Sequence, residues 1–207
     1  MVTAHMTRIE PHSGFTWHPH RGLEIFTWVL EGTLHHEDTT GGMGDIRAGE
    51  LQRMFSGNYI EHQELNLSDD PVRVIQIWFV ADVRYKWLAP HYQQLRRDEL
   101  PALRGGGSTV YTLIGGESPV EQHMEGRLSA ASVGPGGRAE VELPVPGENL
   151  FLYVTDGAGS TSPGGEEVAL GQYDVILARP DSPPITLEAP AGGPLDALCF
   201  YLPCFLP

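Results

Sequence analysis

HPHRGLEIFTWVLEG, residues 18–32, and LPVPGENLFLYVTDG, residues 143–157, decide how this chain is organised. Laid one over the other, Pro19 meets Pro144, Gly22 meets Gly147, Phe26 meets Phe151, Val29 meets Val154 and Gly32 meets Gly157. Both stretches run from Gly and Pro into a β-branched and aromatic segment, then stop at an acidic residue and glycine, as a strand closed by a turn does. A second register sets Ala48-Gly49-Glu50 over Leu170-Gly171-Gln172, in the same order. Two ordered matches indicate an internal duplication.

Outward from the first stretch, TAHMTRIEP, TLHHED, ELQRMF, IEHQELNL and VRVIQIWFV read as short strands separated by turn signals such as GGMG. The 25 glycines and 17 prolines among 207 residues punctuate many short strands. The expected class is all-β, an antiparallel sandwich or barrel in each half. RYKWLAPHYQQLRRDELPALR, residues 84–104, breaks the rhythm and predicts a short helix between Tyr92 and Leu100, ended by Pro101. Gly105-Gly106-Gly107-Ser108 then reads as a flexible connector. The expected division is an N-terminal domain at 1–83, a linker with a short helix at 84–107 and a C-terminal domain at 108–207.

The net charge of −14 repels phosphate backbones, so direct nucleic-acid binding is not expected; Arg96 and Arg97 are the only adjacent basic pair. No apolar run approaches the ~20 residues of a membrane-spanning helix. The two cysteines, Cys199 and Cys204, match no zinc spacing, and Cys199 reads as a small buried hydrophobe. Few cysteines and no signal-peptide pattern point to the cytoplasm.

The chemistry lies in two i, i+2 pairs. Alternate strand residues share a face, so His18 and His20 present two imidazoles side by side. His62 and Glu64 present an imidazole and a carboxylate in the same way. A small barrel can bring the two strands together. Three imidazoles and one carboxylate suit iron, nickel, copper, manganese, cobalt or zinc, and the absence of thiolate argues against a structural zinc site. Under the two registers these four positions fall on Leu143, Val145, Pro184 and Thr186, so the second half is expected to lack the ligands. No Gly-x-Ser-x-Gly nucleophile motif or phosphate-binding glycine motif is present.

HPHRGLEIFTWVLEGTLHHED, followed by GELQRMFSGNYIEHQE, resembles the signature of the pirin family within the cupin superfamily. The close match covers residues 14–82. The resemblance implies two tandem cupin (jelly-roll) barrels, the second degenerate. It also implies one divalent metal, commonly Fe(II), held by His18, His20, His62 and Glu64. Some bacterial pirin-like proteins open quercetin-type flavonols with dioxygen. For this chain that implies a small aromatic substrate, with Glu64 as a catalytic proton acceptor. Others in the family are iron-dependent regulators that act through protein partners, the alternative reading. The sequence departs from the family at Ala48-Gly49-Glu50, where Pro-Gly-Asp is usual, and at Gly57–Glu61. The segment before HPH is short, so the N-terminal strands of longer relatives are expected to be missing or rearranged.

Glu24, Phe26 and Trp28 share parity with His18 and His20 if the strand is regular, which makes them candidates to line the pocket. Glu24 also occupies the carboxylate position of the general cupin motif. Gln76 and Trp78 share one face of their strand, with Ile75 and Ile77 on the other. His35 and His36 follow a turn, so their parity does not carry through; one of them is expected to pack or hydrogen-bond locally, and neither to ligate the main ion. His5, His12, His91 and His123 lack paired partners.

Overall fold

The computed structural model describes residues 1–204. It divides into two compact units, Met1–Glu99 with Val120–Met124, and Leu100–Pro119 with the chain from Glu125 onward. No α-helix occurs among the described residues, so none is long and apolar enough to cross a membrane.

The first unit holds β1 (Thr3–Ile9), β2 (Ser13–His20), β3 (Leu23–Glu31), β4 (Thr33–Asp38), β5 (Met43–Arg47), β6 (Leu51–Phe55), β7 (Ile60–Asn66), β8 (Val72–Val80) and β9 (His91–Leu95). They form two antiparallel sheets, ordered β1-β8-β3-β6-β9 and β2-β7-β4-β5. Side chains from both sheets meet between them. Ile9, Val29, Leu34, Ile46, Val72 and Val74 form one buried cluster; Ile25, Met54 and Ile60 form another, with Leu23 and Trp78 against it. This is the jelly-roll solution, two sheets closing over one apolar interior.

The helix expected between Tyr92 and Leu100 is not there. Residues 91–95 form β9, which pairs with β6 from Phe55↔His91 to Leu51↔Leu95. The open edge of β6 offers backbone partners that outweigh the helical propensity of Gln, Leu and Arg, and that edge is invisible in a local sequence window. The expected linker is likewise divided, β9 lying in the first unit and the next strand in the second.

The second unit holds β10 (Ala102–Gly105), β11 (Ser108–Ile114), β12 (Arg127–Val133), β13 (Arg138–Val141), β14 (Glu148–Thr161), β15 (Val168–Gly171), β16 (Val175–Ala178), β17 (Ile185–Glu188) and β18 (Leu195–Pro203). The glycines expected as a flexible connector instead make the turn of the β10–β11 hairpin. Gly106 and Gly107 both have positive φ, 59° and 76°, as a two-residue turn of this hand requires. The core is built from Leu150, Leu152, Val154, Ile185, Leu187 and Leu195, among others, with Cys199 inside it. Burial pushes the Cys199 thiol up to about 12, so it packs as an inert hydrophobe.

The duplication is visible in hydrogen bonds. Val29 N–H donates to Glu50 O and accepts at its carbonyl from Gly49; Val154 does the same with Asp174 and Tyr173. The first register therefore holds across β3 and β14. The second does not: Glu50 corresponds to Asp174, not to Gln172. Glu50 and Asp174 each accept from the backbone N–H three residues earlier, Arg47 and Gly171. Tyr173 adopts φ 78° where Gly49 adopts 80°, so the glycine that guided the alignment was not the equivalent residue.

Gly32 and Gly157 follow matching bulges and have φ of 77° and 76°. A Cβ on Gly157 would stand 2.0 Å from the Pro194 carbonyl oxygen. Gly157→Ala is expected to cost about 2–3 kcal/mol, seen as a lower thermal midpoint. Gly192→Ala, with open space around it, should leave the midpoint in place. Equal midpoints for the two variants would contradict the assignment.

Candidate metal centre

β2 and β7 set His18 directly opposite His62 in their register, after an irregularity between Phe15 and His18. His20 follows two residues along, on the same face. The three rings converge: centroids are 4.3 Å apart for His18–His62 and 5.0 Å for both His18–His20 and His20–His62. One nitrogen from each lies within 4.8 Å of the others.

The protonation of these rings is set by their surroundings. His18 Nδ1 lies 2.8 Å from the Thr16 carbonyl oxygen, which only accepts, so the proton sits on Nδ1 and the Nε2 lone pair is left free. Burial lowers His20 to about 4, helped by the neighbouring His18. Burial lowers His62 to about 2, with the other imidazoles adding to it. Both rings are therefore neutral at physiological pH. His20 Nε2 and both nitrogens of His62 are buried with no hydrogen-bond partner. Unsatisfied buried nitrogens are costly, and clustered lone pairs of this kind are what a divalent transition-metal ion satisfies.

Glu64 is buried two residues beyond His62 on β7. It falls into a second donor group, with His36 and His62, and not into the His18–His20–His62 group. Its carboxylate is clasped from the facing sheet. Gln52 Nε2 donates to Oε1 at 3.0 Å and Gln76 Nε2 donates to Oε2 at 2.5 Å. Gln52 and Gln76 both pair with Thr27 in the register of β6, β3 and β8, so the three stand side by side on one face. Trp78, on the same face as Gln76, meets the His20 ring edge-on at 5.0 Å.

His36 is the residue that sequence reasoning passed over. It is fully buried on β4, opposite Glu64 in the β4–β7 register. Its ring stacks on Tyr92 of β9 at 4.6 Å and tilts against His62 at 5.3 Å. His36-Glu37-Asp38 has the same i, i+2 spacing as the other two pairs, which was the available signal. The half-buried neighbour His35 instead bonds Asp45.

Glu24, Phe26 and Trp28 do not line this pocket. β2 ends at His20 and β3 starts at Leu23 in the other sheet, with Gly22 at φ 62° between them, so parity does not carry through. All three share a face with Arg53, opposite to that of Thr27, Gln52 and Gln76. Glu24 Oε1 accepts from Arg53 Nε at 2.7 Å and Oε2 accepts from the His123 backbone N–H at 2.7 Å. Arg53 also donates to His123 Nδ1 at 2.9 Å. The group binds segment 120–124 into the first unit.

Strand pairing also locates the corresponding positions of the second unit. Val141 pairs with Ile185 as His18 pairs with His62. Ser160 pairs with Glu188 as His35 pairs with Leu65. His18, His20, His62 and Glu64 thus correspond to Val141, Leu143, Ile185 and Leu187, correcting the expected Leu143, Val145, Pro184 and Thr186. The unequal segments between β13 and β14 and between β16 and β17 displace the linear alignment. The four side chains pack together in the apolar core and carry no donor atoms.

Residues 2–79 match the Pirin family model. A Mycobacterium tuberculosis protein named "Putative quercetin 2,3-dioxygenase" is 38% identical over 162 residues, covering 77% of this chain and 64% of that one. The chain thus spans just under two-thirds of that relative's length. Among solved structures, GK1651 of Geobacillus kaustophilus superposes with a TM-score of 0.82 at 26% identity, covering 99% of this chain and 83% of that one. The bacterial pirin YhhW of Escherichia coli, in complex with nickel(II), superposes with a TM-score of 0.73 at 26% identity, covering 97% and 81%. With the half-buried histidines of β2, the buried His62 of β7 and the jelly-roll fold that holds them, these likenesses show the chain to be similar to the pirin family of the cupin superfamily.

Proposed function

We propose that the first unit holds one divalent transition-metal ion, Fe(II) foremost, on His18, His20, His62 and Glu64, and acts as a dioxygenase on quercetin-like flavonols or related phenolics. The observation that carries this reading is the buried, partnerless nitrogens of His20 and His62, converging with His18. The names of the mycobacterial relative and of the nickel-bound pirin support the substrate class and the ion. When bound, such an ion supplies Lewis acidity that lowers the pKa of a coordinated hydroxyl.

The side chains divide the remaining work. His18 presents the Nε2 lone pair that its bond to Thr16 leaves free. Gln52 and Gln76 hold the Glu64 carboxylate in one orientation, where it can accept the proton of a substrate hydroxyl. Ile25, Met54 and Ile60, with Trp78 against them, form an apolar wall that excludes water and suits a planar ring.

The test is oxygen uptake on quercetin by protein loaded with iron or nickel. Uptake is expected with loaded protein and absent after chelation. Glu64→Gln, which keeps the shape and removes the proton acceptor, should lower turnover by about 100-fold or more. Uptake that persists in metal-free protein, or no uptake with any loaded ion, would end this reading.

A further inference from the structure

We infer that His36 is a further nitrogen donor to the pocket, its lone pair held toward the ion by Asp38. The inference rests on the metal reading above and extends it to a residue outside the proposed ligand set.

The argument is one of tautomers. His36 Nε2 lies 3.0 Å from Asp38 Oδ2, both side chains being fully buried. Asp38 Oδ1 accepts from the Thr40 N–H, the Thr40 hydroxyl and the Gly42 N–H. A carboxylate with that many donors is ionised. An ionised carboxylate only accepts, so the His36 proton is on Nε2. Nδ1 is then a lone pair, and it is buried with no partner.

His36 falls into a donor group with His62 and Glu64, one ligand atom of each lying within 4.8 Å of the others; with Nε2 held by Asp38, Nδ1 is the nitrogen left to serve there. Stacking on Tyr92 fixes the plane of the ring and the Nε2 bond to Asp38 fixes its sense, so Nδ1 is held where it is. A carboxylate–histidine pair aimed at a metal pocket both orients the imidazole and raises its basicity. The two donor groups share His62, and His36 extends the set on the side where Glu64 stands.

Asp38→Asn separates this role from folding. The asparagine Oδ1 keeps the bonds from Thr40 and Gly42, while its amide N–H now faces His36 Nε2. The imidazole must move its proton to Nδ1, and a donor N–H replaces the lone pair in the pocket. Asp38→Asn and His36→Leu are expected to weaken nickel(II) binding by about 10–100-fold and to shift the visible absorption bands of the cobalt(II)-loaded protein. His36→Asn, whose amide oxygen can stand in for Nδ1, should recover part of the affinity. If His36→Leu does not fold, Asp38→Asn carries the test, with metal-free thermal unfolding as its control. Nickel affinity and cobalt bands unchanged in Asp38→Asn would overturn the inference. If His62→Ala loses nickel while Asp38→Asn does not, only the role of His36 falls. If the unaltered chain takes up no nickel, the metal reading falls and this inference with it.

Discussion

Replacing Arg53 by methionine should destabilise the first unit by about 3–5 kcal/mol, the cost of leaving a buried charge without its partner. The guanidinium and the Glu24 carboxylate are both fully buried, 2.6 Å apart. Burial pushes the Glu24 carboxyl above the usual range, and the neighbouring Arg53 and the His123 N–H work against that rise. Removing Arg53 deletes the larger part of that compensation and also frees His91, Gln93 and His123. A sharp fall in the first thermal or denaturant transition is expected. Adding Glu24→Gln to Arg53→Met should restore part of the loss, because no buried charge then remains. A single variant as stable as the parent, or a double variant less stable than the single, would contradict this account.

His62→Ala is expected to abolish metal uptake. The side chain is 1% exposed and central, in contact with His18, His20 and His36. It is also the one residue common to both donor groups. Its loss should exceed the roughly 10–100-fold penalty of removing an outer partner. The readout is the stabilisation that nickel(II) gives. At 100 times its dissociation constant, an ion that binds only the folded chain adds about 2.7 kcal/mol. That increment should vanish in His62→Ala. The metal-free variant should fold, since it loses an imidazole whose nitrogens have no partner. The same nickel-induced rise in both proteins would place the ion elsewhere.

The expected strands of the first half coincide with β1, β3, β4, β6, β7 and β8, because alternation and turn residues are local signals, whereas β5 starts inside the stretch GGMG that read as a turn. The i, i+2 pairs on β2 and β7 were equally legible, since a strand places such residues on one face wherever it lies. Gly32 and Gly157 marked the duplication because both turns demand a left-handed backbone.

Other features depended on partners distant in sequence. Residues 91–95 became a strand because β6 had a free edge, which outweighed their own preference. Glu24 turned from the histidines to Arg53 because the chain changes sheets at Gly22, where strand parity is lost. His36 joined the pocket because β4 lies beside β7 and sets it opposite Glu64. The sequence by itself determined the all-β class, the repeat and the donor types on two strands, because period and residue chemistry are properties of short segments. Only the tertiary structure decided which buried groups share a face and which second-unit residues fill the corresponding site, because strand register and sheet order are set by pairing across the chain.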